Sequence, residues 1–140
     1  MINRTNGHLI ISPEVELKPN DRFETVDKLK LGEIQEVRDF HNGYSWLTLK
    51  NVKVKDQYFI LDICFKDKLL ILIDLIVNNK KFDLNKGWDS WTEKEERENI
   101  PKFKKWIKEE LGREGKFKWG RISAEFDEKG AESSILIRYN

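Results

Sequence analysis

The strongest alternation of apolar and polar residues lies in the middle of the chain, over residues 58–77. The odd-numbered positions from 59 to 65 are apolar. The even-numbered positions from 58 to 64 carry Tyr58, Ile60, Asp62 and Cys64. After a polar turn at 66–68, residues 69–77 are apolar on both sides and are interrupted only by Asp74. A strand that is apolar on both faces belongs in the middle of a sheet. The pattern therefore predicts two central antiparallel strands joined by a tight turn.

Strict alternation also predicts how the second of these strands divides its side chains between the two faces. One face is expected to carry Leu69, Ile71, Ile73, Leu75 and Val77. The opposite face is expected to carry Leu70, Leu72 and Ile76.

Shorter elements are predicted before this pair. Residues 9–11 form a short apolar strand, and residues 14–18 alternate like a half-exposed strand between two prolines, which edge strands tolerate. The three-residue spacing of apolar positions over 23–29 indicates at most a helical turn. A strand over 34–40 then turns at Asn42-Gly43, the dipeptide most typical of a tight hairpin, and the chain returns along 44–54.

The second half of the chain predicts one major helix over about 92–111. Thr92 and Glu95 fit a capping box, and Gly112 fits a C-terminal cap. One stripe at helical spacing carries Ile100, Phe103, Trp106, Ile107 and Leu111. Pro101 interrupts the pattern, so the helix is expected either to kink there or to form two parts. A C-terminal hairpin follows, with a β-bulge predicted where the apolar phase changes at Gly120.

These elements predict a single α+β domain over residues 1–140. Its sheet is expected to be mainly antiparallel and meander-like, with about five to seven strands and one major helix packed on a face. The C-terminal hairpin adds to this sheet. No repeat, low-complexity tract or interdomain linker divides the chain.

Charge and cysteine content narrow the class of protein. The 26 basic and 25 acidic residues leave a net charge of +1, whereas a dedicated nucleic-acid binder is expected to be strongly basic. The single cysteine cannot form an intramolecular disulfide, which favours a reducing compartment. The longest apolar block has nine residues, far below the ~20 that span a bilayer, and no signal-peptide pattern opens the sequence. We therefore expect a cytoplasmic protein with neither nucleic acid nor membrane as its partner.

The sequence offers little that resembles a catalytic or cofactor site. It has no glycine-rich phosphate loop and no Cys-x-x-Cys, and its two histidines are far apart. Cys64 lies within an apolar strand, where it is expected to act as a small hydrophobic residue. We accordingly predict no catalytic residue, no metal site and no cofactor.

Two groups of residues remain as candidates for a site. Tryptophan and tyrosine are typical of binding hot spots, so the partner-binding candidates are Tyr44, Trp46, Trp88 and Trp91. The alternative is a small-ligand or enzymatic site in a concavity of the sheet that uses Asp62, Asp74 and Tyr58. Asp62 and Asp74 are expected on neighbouring strands, either as a buried pair that raises one pKa or as part of a solvent-facing surface.

The aromatic segments Gly87-Trp88-Asp89-Ser90-Trp91-Thr92-Glu93 and Trp119-Gly120, with the closing residues 133–139, resemble small, single-domain bacterial proteins of uncharacterised function. The resemblance implies no catalytic residue. In size and style the chain is similar to immunity-type inhibitors of toxins. We therefore expect a non-enzymatic protein-binding domain, with another protein or a second copy of itself as partner.

Overall fold

The computed structural model describes residues 1–84, 93–127 and 132–140. Within them, a two-stranded sheet is formed by β1 (Leu9–Ser12) and β2 (Val15–Leu17), and two helices are α1 (Phe23–Lys28) and α2 (Glu93–Leu111). A seven-stranded antiparallel sheet contains β3 (Ile34–Asp39), β4 (Tyr44–Val54), β5 (Gln57–Lys66), β6 (Leu69–Asn78), β7 (Gly115–Phe117), β8 (Gly120–Asp127) and β9 (Glu132–Tyr139).

The large sheet has the strand order β3-β4-β5-β6-β9-β8-β7. Four strands form a meander, the chain then leaves the sheet through α2, and the last strand returns to pair with β6. The predicted α+β class, antiparallel sheet, major helix and C-terminal hairpin are confirmed, with seven strands in the main sheet.

One face of this sheet, the core face, holds the hydrophobic core. Successive pairing places apolar side chains in a row across five strands, and each of them is buried: Leu47, Ile63, Ile73, Ile137 and Ile122. Helix α2 packs on this face, with Ile107 fully buried and the Trp106 ring edge-on to Phe59 at 5.9 Å between ring centroids. The N-terminal segment covers the same face, where the Tyr139 hydroxyl donates to the Gly7 carbonyl at 2.7 Å.

The predicted side-chain alternation is wrong at the start of β6. The pairing of β5 with β6 shifts between Cys64 and Phe65, so that Cys64 lies opposite Leu72 and Phe65 opposite Leu70. Ile71 is the extra residue of this bulge. Leu70 therefore lies in the core, fully buried, whereas Leu69 is 37% exposed. One inserted residue exchanges the faces of its neighbours because side chains alternate with a period of two.

The β-bulge predicted at Gly120 is also wrong. Phe117 pairs directly with Gly120, and residues 118–119 form the tight turn between β7 and β8. The change in apolar phase therefore comes from a hairpin turn. A Cβ atom at Gly120 would lie 2.2 Å from the Arg138 carbonyl oxygen, which explains the need for glycine.

The short helix is longer than expected, whereas the major helix has the predicted extent. Residues 23–28 form a six-residue helix rather than a single turn, with Val26 buried. Helix α2 is one helix that contains Pro101, so the two-part alternative is wrong. The predicted C-terminal cap is confirmed, because Gly112 has a φ of +83° and its N–H donates to the Lys108 carbonyl at 2.8 Å. Thr92 of the predicted capping box lies outside the described residues.

Candidate functional site

The second face of the large sheet, called here the open face, lies opposite α2 and the N-terminal sheet. It carries the even-numbered residues of β3 and β5, those of β4 up to Lys50, those of β6 from Leu72 onward, and the alternate residues of β8 and β9 that include Arg121 and Arg138. A register shift between Leu49 and Val52 turns the end of β4 over, so that Val52 is buried in the core and Lys53 lies on the open face. The ring contacts of α1 and α2 with the sheet, Phe23 on Phe65 and Trp106 on Phe59, both lie on the core face. The open face is therefore the broad sheet surface that these elements leave uncovered.

Two rows of side chains cross the open face at right angles to the strands. The first row has an apolar centre with arginines at both ends: Arg38, Trp46, Cys64, Leu72, Arg138 and Arg121. The second row has an acidic centre: Glu36, Thr48, Asp62, Asp74, Leu136 and Ser123. Cation, apolar and anion positions thus lie side by side on one surface.

Asp62 is held by one residue of the adjacent strand β4 and one of β3 beyond it. The Thr48 hydroxyl donates a hydrogen bond to Asp62 Oδ1, and Arg38 Nη2 lies 3.3 Å from the same oxygen. The Arg38 guanidinium also lies over the Trp46 ring, 5.8 Å from its centroid. Arg38 therefore links the acidic centre of one row to the aromatic residue of the other.

Asp74 lies directly opposite Asp62 on β6, so the structure brings the two carboxylates together as neighbours. The pKa of Asp74 is raised to about 6, mainly by burial and to a smaller extent by the negative charges of Asp62, Glu132 and Glu125, while a hydrogen bond with Ser134 opposes the shift. The two arrangements considered from the sequence, a solvent-facing pair and a buried pair with one raised pKa, are therefore combined. Both carboxylates lie on the open face, and Asp74 is largely removed from water.

The third candidate of the ligand-binding alternative, Tyr58, lies on the same face but apart from this pair. Tyr58 is four residues from Asp62 along β5, a separation of about 13 Å in a strand. The Lys53 ammonium lies 6.0 Å from its ring centroid. The cavity beside the two carboxylates has a volume of about 80 Å³, and Tyr58 does not line it.

Two of the four partner-binding candidates, Tyr44 and Trp46, lie on β4 with their side chains on the open face. Tyr44 is 38% exposed, and the Lys66 ammonium lies 5.8 Å from its ring centroid. Trp88 and Trp91 lie outside the described residues.

Cys64 occupies the middle of the first row, between Trp46 and Leu72. Only 4% of its surface is exposed, and burial raises the pKa of its thiol. A buried thiol with a raised pKa is a poor nucleophile, which agrees with the structural role expected from the sequence.

The arginines of the open face were not singled out from the sequence. Arg121 and Arg138 lie directly opposite each other on β8 and β9, and both are exposed. Together with Ser123, Glu125 and Leu136 they line a cavity of about 280 Å³. The alternation of Ile122, Ala124 and Phe126 already places Arg121 on the polar side of β8. What the sequence pattern does not show is that β9 pairs with β6 and β8, which brings Arg121 and Arg138 into the row with Leu72.

Over residues 1–84, 93–127 and 132–140, no three histidine, cysteine or carboxylate side chains form a group that could hold a metal ion. In the same residues, no helix combines the length and the apolar content needed to cross a membrane.

Comparison with known proteins identifies no matching family model and no matching curated protein. The fold is similar to that of a chain in the solved structure described as "Rhs1-CT in complex with cognate immunity protein RhsI1". The TM-score is 0.56 and the sequence identity 15%, and the match covers 99% of this chain and 86% of the other. At this identity the similarity establishes a shared fold.

Proposed function

We propose that this chain is an immunity-type protein of a bacterial cytoplasm that binds a protein toxin through the open face and inhibits it. The observation that carries the proposal is the open face itself. It is a broad sheet surface on which Trp46, the exposed Arg121 and Arg138, and the carboxylate pair lie within a few strands of one another.

The chemistry of this face fits a protein partner. Protein interfaces are enriched in tryptophan, tyrosine and arginine, and their strongest contacts combine an aromatic anchor with surrounding polar groups. Trp46 has Arg38 over its ring and lies on the same row as Leu72, so an apolar centre is flanked by charge. Such a surface offers both contact area and charge selectivity.

The fold gives independent support. The similar solved structure contains Rhs1-CT and its cognate immunity protein RhsI1, and the matched chain is the immunity protein. The matched protein is therefore one that is known in complex with a protein partner. We extend a role of the same kind to this chain as our proposal.

The alternative of a small-ligand or enzymatic site receives less support. Small-molecule sites have volumes of about 300–1,000 Å³ and enclose most of their ligand. The cavity at Asp62 and Asp74 is about 80 Å³, and Tyr58 lies away from it. The carboxylate pair is better suited to receive a basic side chain from a partner surface.

The test begins with the proteins encoded beside this chain in its genome. Each is expressed alone in a bacterial host, and any that stops growth is then coexpressed with this protein. We expect growth to be restored and a stable complex to be isolated by size-exclusion chromatography. A neighbouring toxin that remains equally toxic and forms no complex contradicts the proposal.

The binding face is tested with variants of the same complex. Trp46→Ala should weaken binding by about 2 kcal/mol or more, roughly 30-fold in Kd, if this residue is an anchor. Lys105→Ala provides the control, because Lys105 is exposed on α2, on the opposite side of the sheet. Equal affinities for both variants would place the interface elsewhere.

A further inference from the structure

The two edges of the large sheet differ in how well they are protected. At one edge, β7 has only three residues, and Phe117 within it is stacked on Trp119 and covered by the Arg113 guanidinium at 4.0 Å. At the other edge, β3 runs straight over six residues without a proline or a bulge. Proteins normally shorten, cover or bend such an edge because it can pair with another strand.

Exposed apolar side chains are concentrated at this β3 edge. On β3 and directly after it, Ile34 is 41% exposed, Val37 53% and Phe40 55%. Leu29 at the end of α1 is 41% exposed, and α1 is held beside β3 by the Gln35 amide, which donates to Asp27 Oδ1 at 2.8 Å. A long edge with apolar side chains on both faces is a surface suited to association.

The backbone of β3 is arranged to accept a further strand. Phe40 N–H donates to the Tyr44 carbonyl at 3.2 Å, and the register of β3 with β4 makes these two residues opposite partners. Because hydrogen-bonded pairs alternate in an antiparallel ladder, even-numbered residues of β3 bond to β4. Gln35, Val37 and Asp39 therefore direct their N–H and C=O groups away from the sheet, where no described strand pairs with them.

We propose that two copies of this chain associate through their β3 strands, antiparallel across a two-fold axis at Val37, and join their sheets into one. This inference goes beyond the proposed toxin binding and does not depend on it, because its backbone pairing uses the edge of the sheet, although Glu36 and Arg38 also lie at the margin of the open face.

The side chains select this register among the symmetric ones. With the axis at Val37, Glu36 of each copy lies opposite Arg38 of the other, and Ile34 lies opposite Phe40. Moving the axis to position 36 places two Glu36 carboxylates opposite each other, and moving it to position 38 does the same for two Arg38 guanidiniums. Opposite charges across a strand pair stabilise it, whereas like charges oppose it.

The charge pattern of β3 also indicates that the strand bound at this edge belongs to a second copy of the chain. From residue 34 to residue 40 the positions are apolar, polar, acidic, apolar, basic, acidic and apolar. A reversed second copy therefore places apolar opposite apolar at the ends and acidic opposite basic around the centre, with Gln35 opposite Asp39. A two-fold interface requires this self-complementarity, and each favourable contact then occurs twice. Glu36 and Arg38 are both exposed. Within the chain Glu36 lies 3.3 Å from the Lys50 ammonium and Arg38 lies 3.3 Å from Asp62, so in the dimer each would share its charge between that partner and the second copy.

Charge reversal tests the proposed pairing in the full-length protein. Sedimentation equilibrium over a range of concentrations should show a monomer–dimer equilibrium for the natural sequence. Glu36→Arg and Arg38→Glu should each weaken dimerisation roughly tenfold or more, because two attractive pairs become repulsive. The double variant should recover dimerisation. An equimolar mixture of the two single variants should form a heterodimer, since its facing charges are again opposite.

A cysteine at the axis tests the register directly. Two residues of a hydrogen-bonded antiparallel pair have Cα atoms about 5.5 Å apart, within disulfide range. Val37→Cys should therefore form a disulfide-linked dimer under mild oxidation, and Gln35→Cys, which faces Asp39, provides the control. The native Cys64 is buried and should not interfere. Circular dichroism confirms that each variant is folded.

Three results would overturn the inference. The first is a natural protein that stays monomeric at every concentration. The second is a pair of folded single charge variants that dimerise as tightly as the natural chain. The third is equal cross-linking by Val37→Cys and Gln35→Cys, which would indicate random collision.

Discussion

Asp62 and Asp74 are direct cross-strand partners at the centre of the open face, but their surroundings differ. Asp62 receives hydrogen bonds from Thr48 and Arg38, whereas burial raises the pKa of Asp74 to about 6. The charged form of Asp74 is therefore disfavoured in the folded protein. A cation from a binding partner would reverse this penalty, because an opposite charge favours the ionised carboxylate.

This difference predicts a pH-dependent stability. The folded protein holds the Asp74 proton more tightly than the unfolded chain, whose carboxyl has the ordinary pKa of 3.8. The free energy of unfolding should therefore fall as pH rises from about 4 through about 6. Asp74→Asn removes this loss. Between pH 4 and pH 7 the free energy of unfolding of the variant should therefore rise by about 1–3 kcal/mol relative to that of the natural protein.

Urea denaturation at the two pH values measures that gain. Asp62→Asn is the matched control, because it removes a neighbouring negative charge and should lower the pKa of Asp74 without abolishing its titration. If the natural protein and Asp74→Asn differ in free energy of unfolding by the same amount at both pH values, Asp74 does not have a raised pKa in the folded protein.

Cys64 should react slowly with maleimide in the native protein and quickly after denaturation. Its side chain is buried on the open face between Trp46 and Leu72, and burial raises its pKa. Trp46→Ala should remove part of this cover and increase the native labelling rate, whereas Tyr44→Ala, which faces Lys66 rather than Cys64, should not. Rapid labelling of the natural folded protein would rule out a buried thiol.

The β5–β6 hairpin should contain the slowest-exchanging amides of the protein. Both strands have a neighbour on each side, and Phe59, Leu61, Ile63 and Leu75 are at most 1% exposed. Hydrogen exchange is slowest in such central units, because their amides open only when most of the structure unfolds. Native-state exchange measured by NMR should be slower for the amides of residues 59–65 and 70–77 than for those of β7 and β8. The reverse order would mean that the stable centre lies in the C-terminal strands.

Gly120→Ala should destabilise the protein by about 2 kcal/mol or more. The new Cβ would lie 2.2 Å from the Arg138 carbonyl oxygen, so the β8–β9 pairing would have to shift. Gly112→Ala provides the comparison. It has a positive φ of +83° but no atom within 4 Å of the new Cβ, so only the backbone strain of about 1–2 kcal/mol applies. In thermal and urea melts, Gly120→Ala should therefore lose more stability than Gly112→Ala.

Local patterns of the sequence were sufficient for most of the elements. The alternation over 44–49 and 58–65 and the Asn42-Gly43 turn predicted three strands of the meander, and the apolar stripe with Gly112 predicted α2. The proximity of Asp62 and Asp74 also followed, because a short turn makes consecutive strands antiparallel neighbours. In each case the determining interactions lie within one element or across one tight turn.

Only the tertiary structure decided how distant segments share the sheet. Pairing of β9 with β6 places Arg138 beside Leu72 and Arg121 beyond it, so the arginine end of the open face depends on strands that are far apart in the chain. The extra residue at Ile71 and the tight turn before Gly120 are likewise consequences of pairing. A period of two specifies which residues share a face, but it carries no information about which strand lies alongside or which edge remains unpaired. The arginine row and the exposed β3 edge depend on these non-local pairings, and therefore on the tertiary structure.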